Sequence, residues 1–347
     1  MQELAYLYGK PQATGDLRTS ESDFKVFELL PFQASGEGEH LFLHIRKTGV
    51  NTGLIAKQLA SYFKVKEFAV SYAGLKDRFA VCEQFFTVHL PGVKNPDLSD
   101  LNIEGVEILS ATHHHKKLRI GALLGNRFEL TLRNVTGIEV LQARWSQIVA
   151  QGVPNYFGEQ RFGIEAGNLE KAKALFAGQK VKDKKKRGIY ISAARSFLFN
   201  QMVAKRIEQN TFAELLLGDV CMLAGSQSVF VNDGSDTGLT TRLNSFDIDL
   251  TAPMWGRGKL MSQGDVLAFE QNLAAQYPDF CSGLEQVGLN QERRKMRLTV
   301  QAPKLVVKDD TTLVLSFCLA AGCYATTVLR ELLNYQDLTQ RVNVNAD

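Results

Sequence analysis

The segment Tyr72-Ala73-Gly74-Leu75-Lys76-Asp77-Arg78-Phe79-Ala80 sets a carboxylate between two cations on a glycine-containing connection. Neighbouring cations favour the charged form of an aspartate. A charged carboxylate exposed to a ligand is a possible covalent nucleophile at a sugar or at an electrophilic ring. On residue types alone, a solvated aspartate in a charged turn is the commoner story. Three basic runs also stand out: His113-His114-His115-Lys116-Lys117-Leu118-Arg119, Lys182-Asp183-Lys184-Lys185-Lys186-Arg187 and Arg293-Arg294-Lys295-Met296-Arg297. Any one of them reads equally well as a solvated face. Together, in a near-neutral chain, they mean segregated charge, which binding to a phosphate backbone requires.

Other chemistries fall away. There is no GxxxxGK[ST], since Gly256-Arg257-Gly258-Lys259 lacks the upstream glycine, and there is no GxGxxG after a strand, no HExxH and no GxSxG. The histidine triplet 113–115 is a poor metal site, because adjacent residues on an extended chain point to opposite faces. We therefore expect no metal and no cofactor.

The elements that must carry these residues can be read from periodicity. Phe24–Leu29 and Leu41–Arg46 alternate as strands, with a turn at Gly36–His40 between them. A helix begins at Asn51-Thr52, and Phe68–Tyr72 is a short strand leading into the Asp77 segment. Leu118–Leu132 reads as a hairpin turning near Gly125-Asn126, and Glu139–Val149 as an amphipathic helix. From Gly152 the texture changes. Ser192 is a candidate N-cap for a helix over Ala193–Ile207, and Glu270–Ala275 and Leu284–Arg294 look helical. Alternation returns after Leu298, and a final helix covers Ala325–Leu333. A strand-rich beginning and end around a different middle predicts an α+β chain in which one domain is inserted into another.

The chain has 347 residues, 45% hydrophobic and 22% charged, with net charge +3. That is globular composition, long enough for about two domains, and neither polyanionic nor histone-like. MQELAYLYGKPQ lacks the pattern of a signal peptide. The uncharged stretch Leu315–Leu329 carries Ser, Thr and Gly and is shorter than the roughly 20 apolar residues a membrane helix needs. Five cysteines without a CxxC pair read as reduced thiols in a cytoplasmic protein.

Gly74-Leu75-Lys76-Asp77-Arg78, followed by Val81-Cys82-Glu83-Gln84, closely resembles the signature of the TruD family of pseudouridine synthases. Gly9-Lys10-Pro11, Asp23-Phe24, Gly36–His40, Gly125-Asn126-Arg127-Phe128, Val153–Gly163 (VPNYFGEQRFG), Ser192–Ser196 and Ala321–Thr326 fit the same family in order, so the likeness covers essentially the whole chain. It implies a pseudouridine-synthase catalytic domain with a mixed or antiparallel sheet (residues 1–151 and 299–347). An inserted α/β TRUD domain (152–298) interrupts it, with a cleft between the two for transfer RNA. It further implies isomerisation of a uridine at position 13 of transfer RNA. With no heptad and no hydrophobic surface stripe in the sequence, a monomer is expected, with no obligate protein partner and no membrane.

Residue by residue, the resemblance makes Asp77 the catalytic aspartate. It places Phe24, Asn126 and Phe128 at the base-binding site. Tyr324 stands where the family has phenylalanine. Lys76, Arg78 and Arg18 are the candidates to hold Asp77, and Lys116, Lys117, Arg119, Lys184, Lys185, Lys186 and Arg187 the candidates for RNA phosphates. Two other classes stay open: a non-catalytic RNA-binding protein or chaperone, and a nucleoside or glycoside hydrolase with Glu83 as second carboxylate.

Overall fold

The computed structural model describes residues 3–339. The chain forms two compact units, one of residues 11–150, 300–325 and 332–339, the other of residues 3–10, 151–299 and 326–331.

The first unit is built on a ten-stranded mixed sheet. In chain order it contains β1 (Thr14–Leu17), β2 (Phe24–Leu29), β3 (His40–Thr48), α1 (Thr52–Tyr62), β4 (Val70–Tyr72), β5 (Val81–His89), β6 (Val106–His114) and β7 (Gly125–Thr136), followed by α2 (Ile138–Gln151). The second unit holds β8 (Val153–Pro154), α3 (Gly167–Phe176), α4 (Lys184–Glu208), β9 (Val220–Leu223), β10 (Val229–Val231), α5 (Leu239–Asn244), β11 (Ile248–Met254), α6 (Gly264–Ala274), α7 (Pro278–Gln286), β12 (Glu292–Lys295) and β13 (Arg297–Leu298). The chain then supplies β14 (Gln301–Val307), β15 (Leu313–Ala320), α8 (Ala325–Leu332) and β16 (Asn334–Asp337).

The main strand order of the first unit is β14-β15-β7-β2-β5-β3-β6, with β1 joining β7 and β16, and β4 joining β5. The β2/β5 and β1/β16 pairs are parallel and the others antiparallel. Residues directly opposite one another share a face, so Phe317, Phe128, Val26, Cys82 and Lys47 form one row across five strands. At one end of that face Ile55 and Leu59 of α1 pack on Leu41, Leu43, Ile45, Phe86 and Val88. At the other, Trp145 of α2 stands 5.9 Å from Phe317. Both helices thus lie on one face, and the strip over β2 and β5 between them is left for side chains from loops. Gly125 opens β7 where a Cβ would lie 2.1 Å from the Leu319 carbonyl oxygen, so only glycine lets β7 and β15 close there.

The second unit has a four-stranded sheet, β10-β9-β11-β12, a two-stranded β8/β13 ladder and the 25-residue α4. Three expectations from sequence are corrected. α4 starts at Lys184, capped by Asp183, whose carboxylate accepts from the amides of Lys185 and Lys186; Ser192 is inside the helix, where its hydroxyl accepts from Arg161 at 3.1 Å. Leu118–Leu124 is loop and only the stretch from Gly125 is strand: Leu118 is the one fully buried residue of the segment, Ala122 and Leu123 pack partly against the same cluster, and Ile120 and Leu124 are exposed. Helix α7 ends at Gln286, and Glu292–Lys295 pairs with β11 as a strand.

Candidate active site

The floor of the site is the sheet strip between α1 and α2. Phe24, two residues before Val26 on β2, faces the same way, and its ring meets Phe128 edge-on at 6.3 Å. Both rings are core residues, 2% and 6% exposed. Arg18, just past β1, lays its guanidinium over the Phe24 ring at 4.1 Å. Its backbone is left-handed, with φ 58°, a conformation costing a non-glycine residue on the order of 1–3 kcal/mol. The surrounding ion pairs offset that strain.

Asp77 sits on the loop joining β4 to β5, and buried polar groups fix that loop from beneath. Gln84 on β5, fully buried, donates from Nε2 to the Gly74 carbonyl at 2.7 Å. Its Oε1 accepts from Thr52 Oγ1 at 3.1 Å, and that hydroxyl accepts from the Lys76 amide at 3.1 Å. Lys47 Nζ, buried under the loop, donates to the Asp77 carbonyl at 2.5 Å; burial pushes its pKa below the ordinary lysine value. The Gly121 amide donates to the Ala73 carbonyl at 2.7 Å. The Ala73, Gly74 and Asp77 carbonyls and the Lys76 amide are therefore tied to α1, to the sheet or to the loop before β7.

These clamps decide among the three candidate cations. Lys76 turns inward to Glu28, Nζ to Oε1 at 2.5 Å. The second Glu28 oxygen accepts from the Phe85 amide at 2.8 Å, and burial holds the Glu28 pKa above the usual carboxylate value. Arg78 Nε donates to the Gly49 carbonyl at 3.0 Å. Arg18 is the cation on Asp77: Nη2 to Oδ2 is 2.8 Å, with the Arg18 side chain 4% and the Asp77 side chain 43% exposed. Among the described residues Asp77 Oδ1 has no hydrogen-bond partner, so one carboxylate oxygen is held and the other is open. Arg18 also reaches Asp337 of β16, Nη1 to Oδ2 at 2.7 Å.

Asn126 stands opposite Leu319 on one side and Glu28 on the other. Its Oδ1 is buried without a hydrogen-bond partner among the described residues. An unpaired buried acceptor costs about 1–3 kcal/mol, which a donor such as an imide N–H would recover. Tyr324 lies half-buried in the turn between β15 and α8. Glu83 is one residue from Cys82 and faces the other side of β5, paired with Arg46 at 2.9 Å. It is not placed to serve Asp77 as a second catalytic carboxylate.

The basic runs divide. Lys116, Lys117 and Arg119 are exposed after β6, Lys117 donating to the Phe68 carbonyl at 2.6 Å. Lys184–Arg187 form the exposed first turn of α4 in the other unit. The third run is structural: Arg293 pairs with Glu270 at 2.9 Å, Lys295 and Arg297 both pair with Asp249, and Arg294 lies over Phe157 at 4.2 Å. Glu28, Lys47, Thr52 and Asp337 were not found by reading the sequence, and no local pattern marks them.

A family model described as tRNA pseudouridine synthase D (TruD) matches residues 1–179 and 169–332. Among curated proteins, the tRNA pseudouridine synthase D of Colwellia psychrerythraea is 57% identical over 98% of this chain and 95% of its own length. That of Aeromonas hydrophila is 50% identical over 97% and 96%. A crystal structure described as a tRNA pseudouridine synthase D from Methanosarcina mazei superposes with TM-score 0.73 over 95% of both chains at 22% identity, a likeness of fold. The chain belongs to the TruD family.

Proposed function

We propose that the protein isomerises uridine to pseudouridine in transfer RNA, at position 13, with Asp77 as the catalytic carboxylate. The observation that carries this reading is the half-exposed Asp77 side chain on a loop clamped at Gly74, Lys76 and Asp77 itself, with one oxygen on Arg18 and the other open. A uridine in folded RNA is stacked, so it must be extruded before a carboxylate can reach it. Asn126 then meets the polar edge of the base and Tyr324 offers a ring for stacking. Phe24 and Phe128 form the apolar floor, meeting the base at an edge.

Asp77 attacks C1′ or C6, or takes a ribose proton to give a glycal. By each route the N1–C1′ bond breaks, uracil turns in the pocket, C5 bonds to C1′, C5 loses its proton and N1 gains one; by the glycal route the ribose carbon also recovers its proton. Nothing is oxidised or hydrolysed, so the mass is unchanged and the chemistry calls for no cofactor. Lys116, Lys117, Arg119 and Lys184–Arg187 supply phosphate contacts. We place the protein in the cytoplasm with its substrate, acting as a monomer. No helix of the described residues is long and apolar enough to cross a membrane.

The test is to incubate the protein with unmodified transfer RNA and map carbodiimide-sensitive positions. A single new site at position 13 is expected, formed with multiple turnovers. Asp77→Asn should abolish it while RNA binding persists; full activity in that variant removes Asp77 from its role. Stoichiometric binding without turnover by the unaltered protein would favour an RNA chaperone.

A further inference from the structure

We propose that Asp337 is a positioning residue for Asp77, acting through Arg18: it pins the guanidinium so that Arg18 takes only Oδ2 of Asp77 and leaves Oδ1 to the substrate. This rests on the assignment of Asp77 above. Asp337 is held at both ends. Its Oδ2 accepts from Arg18 Nη1 at 2.7 Å, while Oδ1 accepts from the Thr339 amide at 3.1 Å and the Thr339 hydroxyl at 2.8 Å. Its side chain is 10% exposed. The backbone fixes it as well, because β16 runs parallel to β1 with Asp337 opposite Leu17, the residue before Arg18, and the Leu338 amide donates to the Leu17 carbonyl at 3.1 Å.

The buried guanidinium therefore has three restraints: the Phe24 face, Asp337 on Nη1 and Asp77 on Nη2. Its Nε is buried without a partner among the described residues. An arginine facing one carboxylate prefers the two-pronged fork, one N–H to each oxygen. Asp337 occupies Nη1 and so prevents the end-on fork, Nη1 with Nη2, from closing on Asp77. Removing its charge leaves a buried cation short of a partner, and the guanidinium is driven to seize both Asp77 oxygens. The open oxygen needed for catalysis is then engaged.

The test compares Asp337→Asn with the unaltered protein on transfer RNA. We expect kcat to fall about tenfold or more with KM within about twofold, measured per folded molecule. An ammonium cannot make the fork, so in an Arg18→Lys background the same substitution should cost less than about twofold. Thr339→Val, which loosens Asp337 from its far side, should give an intermediate loss in kcat and serves if Asp337→Asn does not fold. An unchanged kcat, a loss confined to KM or to the folded fraction, or an equal loss in both backgrounds would overturn the proposal and leave the isomerase reading intact. An unaltered protein that makes no pseudouridine would take both down.

Discussion

Thr52→Val isolates the clamp beneath the Asp77 loop. The substitution keeps the shape of a fully buried side chain and removes one oxygen that both donates to Gln84 Oε1 and accepts from the Lys76 amide, each at 3.1 Å. Two polar groups lose their partner, the buried Gln84 Oε1 and the part-buried amide next to Asp77. Each such loss is worth about 1–3 kcal/mol. For an amide exposed by local opening, that corresponds to hydrogen exchange faster by roughly 5- to 150-fold. The measurement is native-state exchange at the Lys76 amide, with the Phe86 amide, in the same β5 as Gln84 but in the apolar core, as internal control. The loop's looser hold on the carboxylate should lower kcat about tenfold or more with little change in KM. Unaltered exchange at Lys76 would refute the reasoning, because it would mean that this hydroxyl carries none of the loop's order.

Neutralising Lys184, Lys185 and Lys186 together as glutamines should weaken transfer RNA binding and flatten the slope of log K against log salt by up to about 2–3 units; an unchanged slope places that turn outside the interface. Gly125→Ala puts a Cβ against the Leu319 carbonyl, separates β7 from β15 beside Asn126, and should lower the melting temperature by several degrees together with kcat; a variant with the melting temperature and activity of the unaltered protein would show that the strands have slack there. His40, His44 and His114 have pKa values below the ordinary histidine value, burial being the first cause in each. The unfolded chain therefore binds protons from about pH 6.5 downward that the folded one does not, so stability is complete above that pH and is lost as the pH falls. A His40→Gln, His114→Gln variant should lose less melting temperature between pH 7 and pH 5 than the unaltered protein; an equal loss would exclude these two rings as the cause.

The Asp77 segment was legible because the aspartate and its flanking cations are contiguous. Its partner was legible only as one of three candidates, Lys76, Arg78 and Arg18, and geometry sends the two chain neighbours elsewhere: Lys76 to Glu28 under the loop, Arg78 to the Gly49 carbonyl. Arg18 is 59 positions away and reaches Asp77 only because β1 and β2 bring it over Phe24. The Arg293–Arg297 run shows the same limit from the other side. In letters it matches the exposed lysines of α4, and it differs only through Glu270 and Asp249, which arrive from other elements. Alternation gave β2 and β3 correctly and misled over 118–124, where the apolar letters of a loop fall by coincidence at period two. The Ser192 cap failed because Asp183, nine residues earlier, satisfies the first amides of a helix that opens with the basic run Lys184–Arg187.

The parallel pairing of β16 with β1 has a consequence for how the protein is made. Asp337 and Arg18 are 319 positions apart, so the ribosome must release the late strand before the early one finds its neighbour. Until then Arg18 waits with half its charge uncompensated and the sheet keeps an open edge. Closing so distant a contact is slow, and Asp337 can join Arg18 only after β16 has emerged and docked on β1.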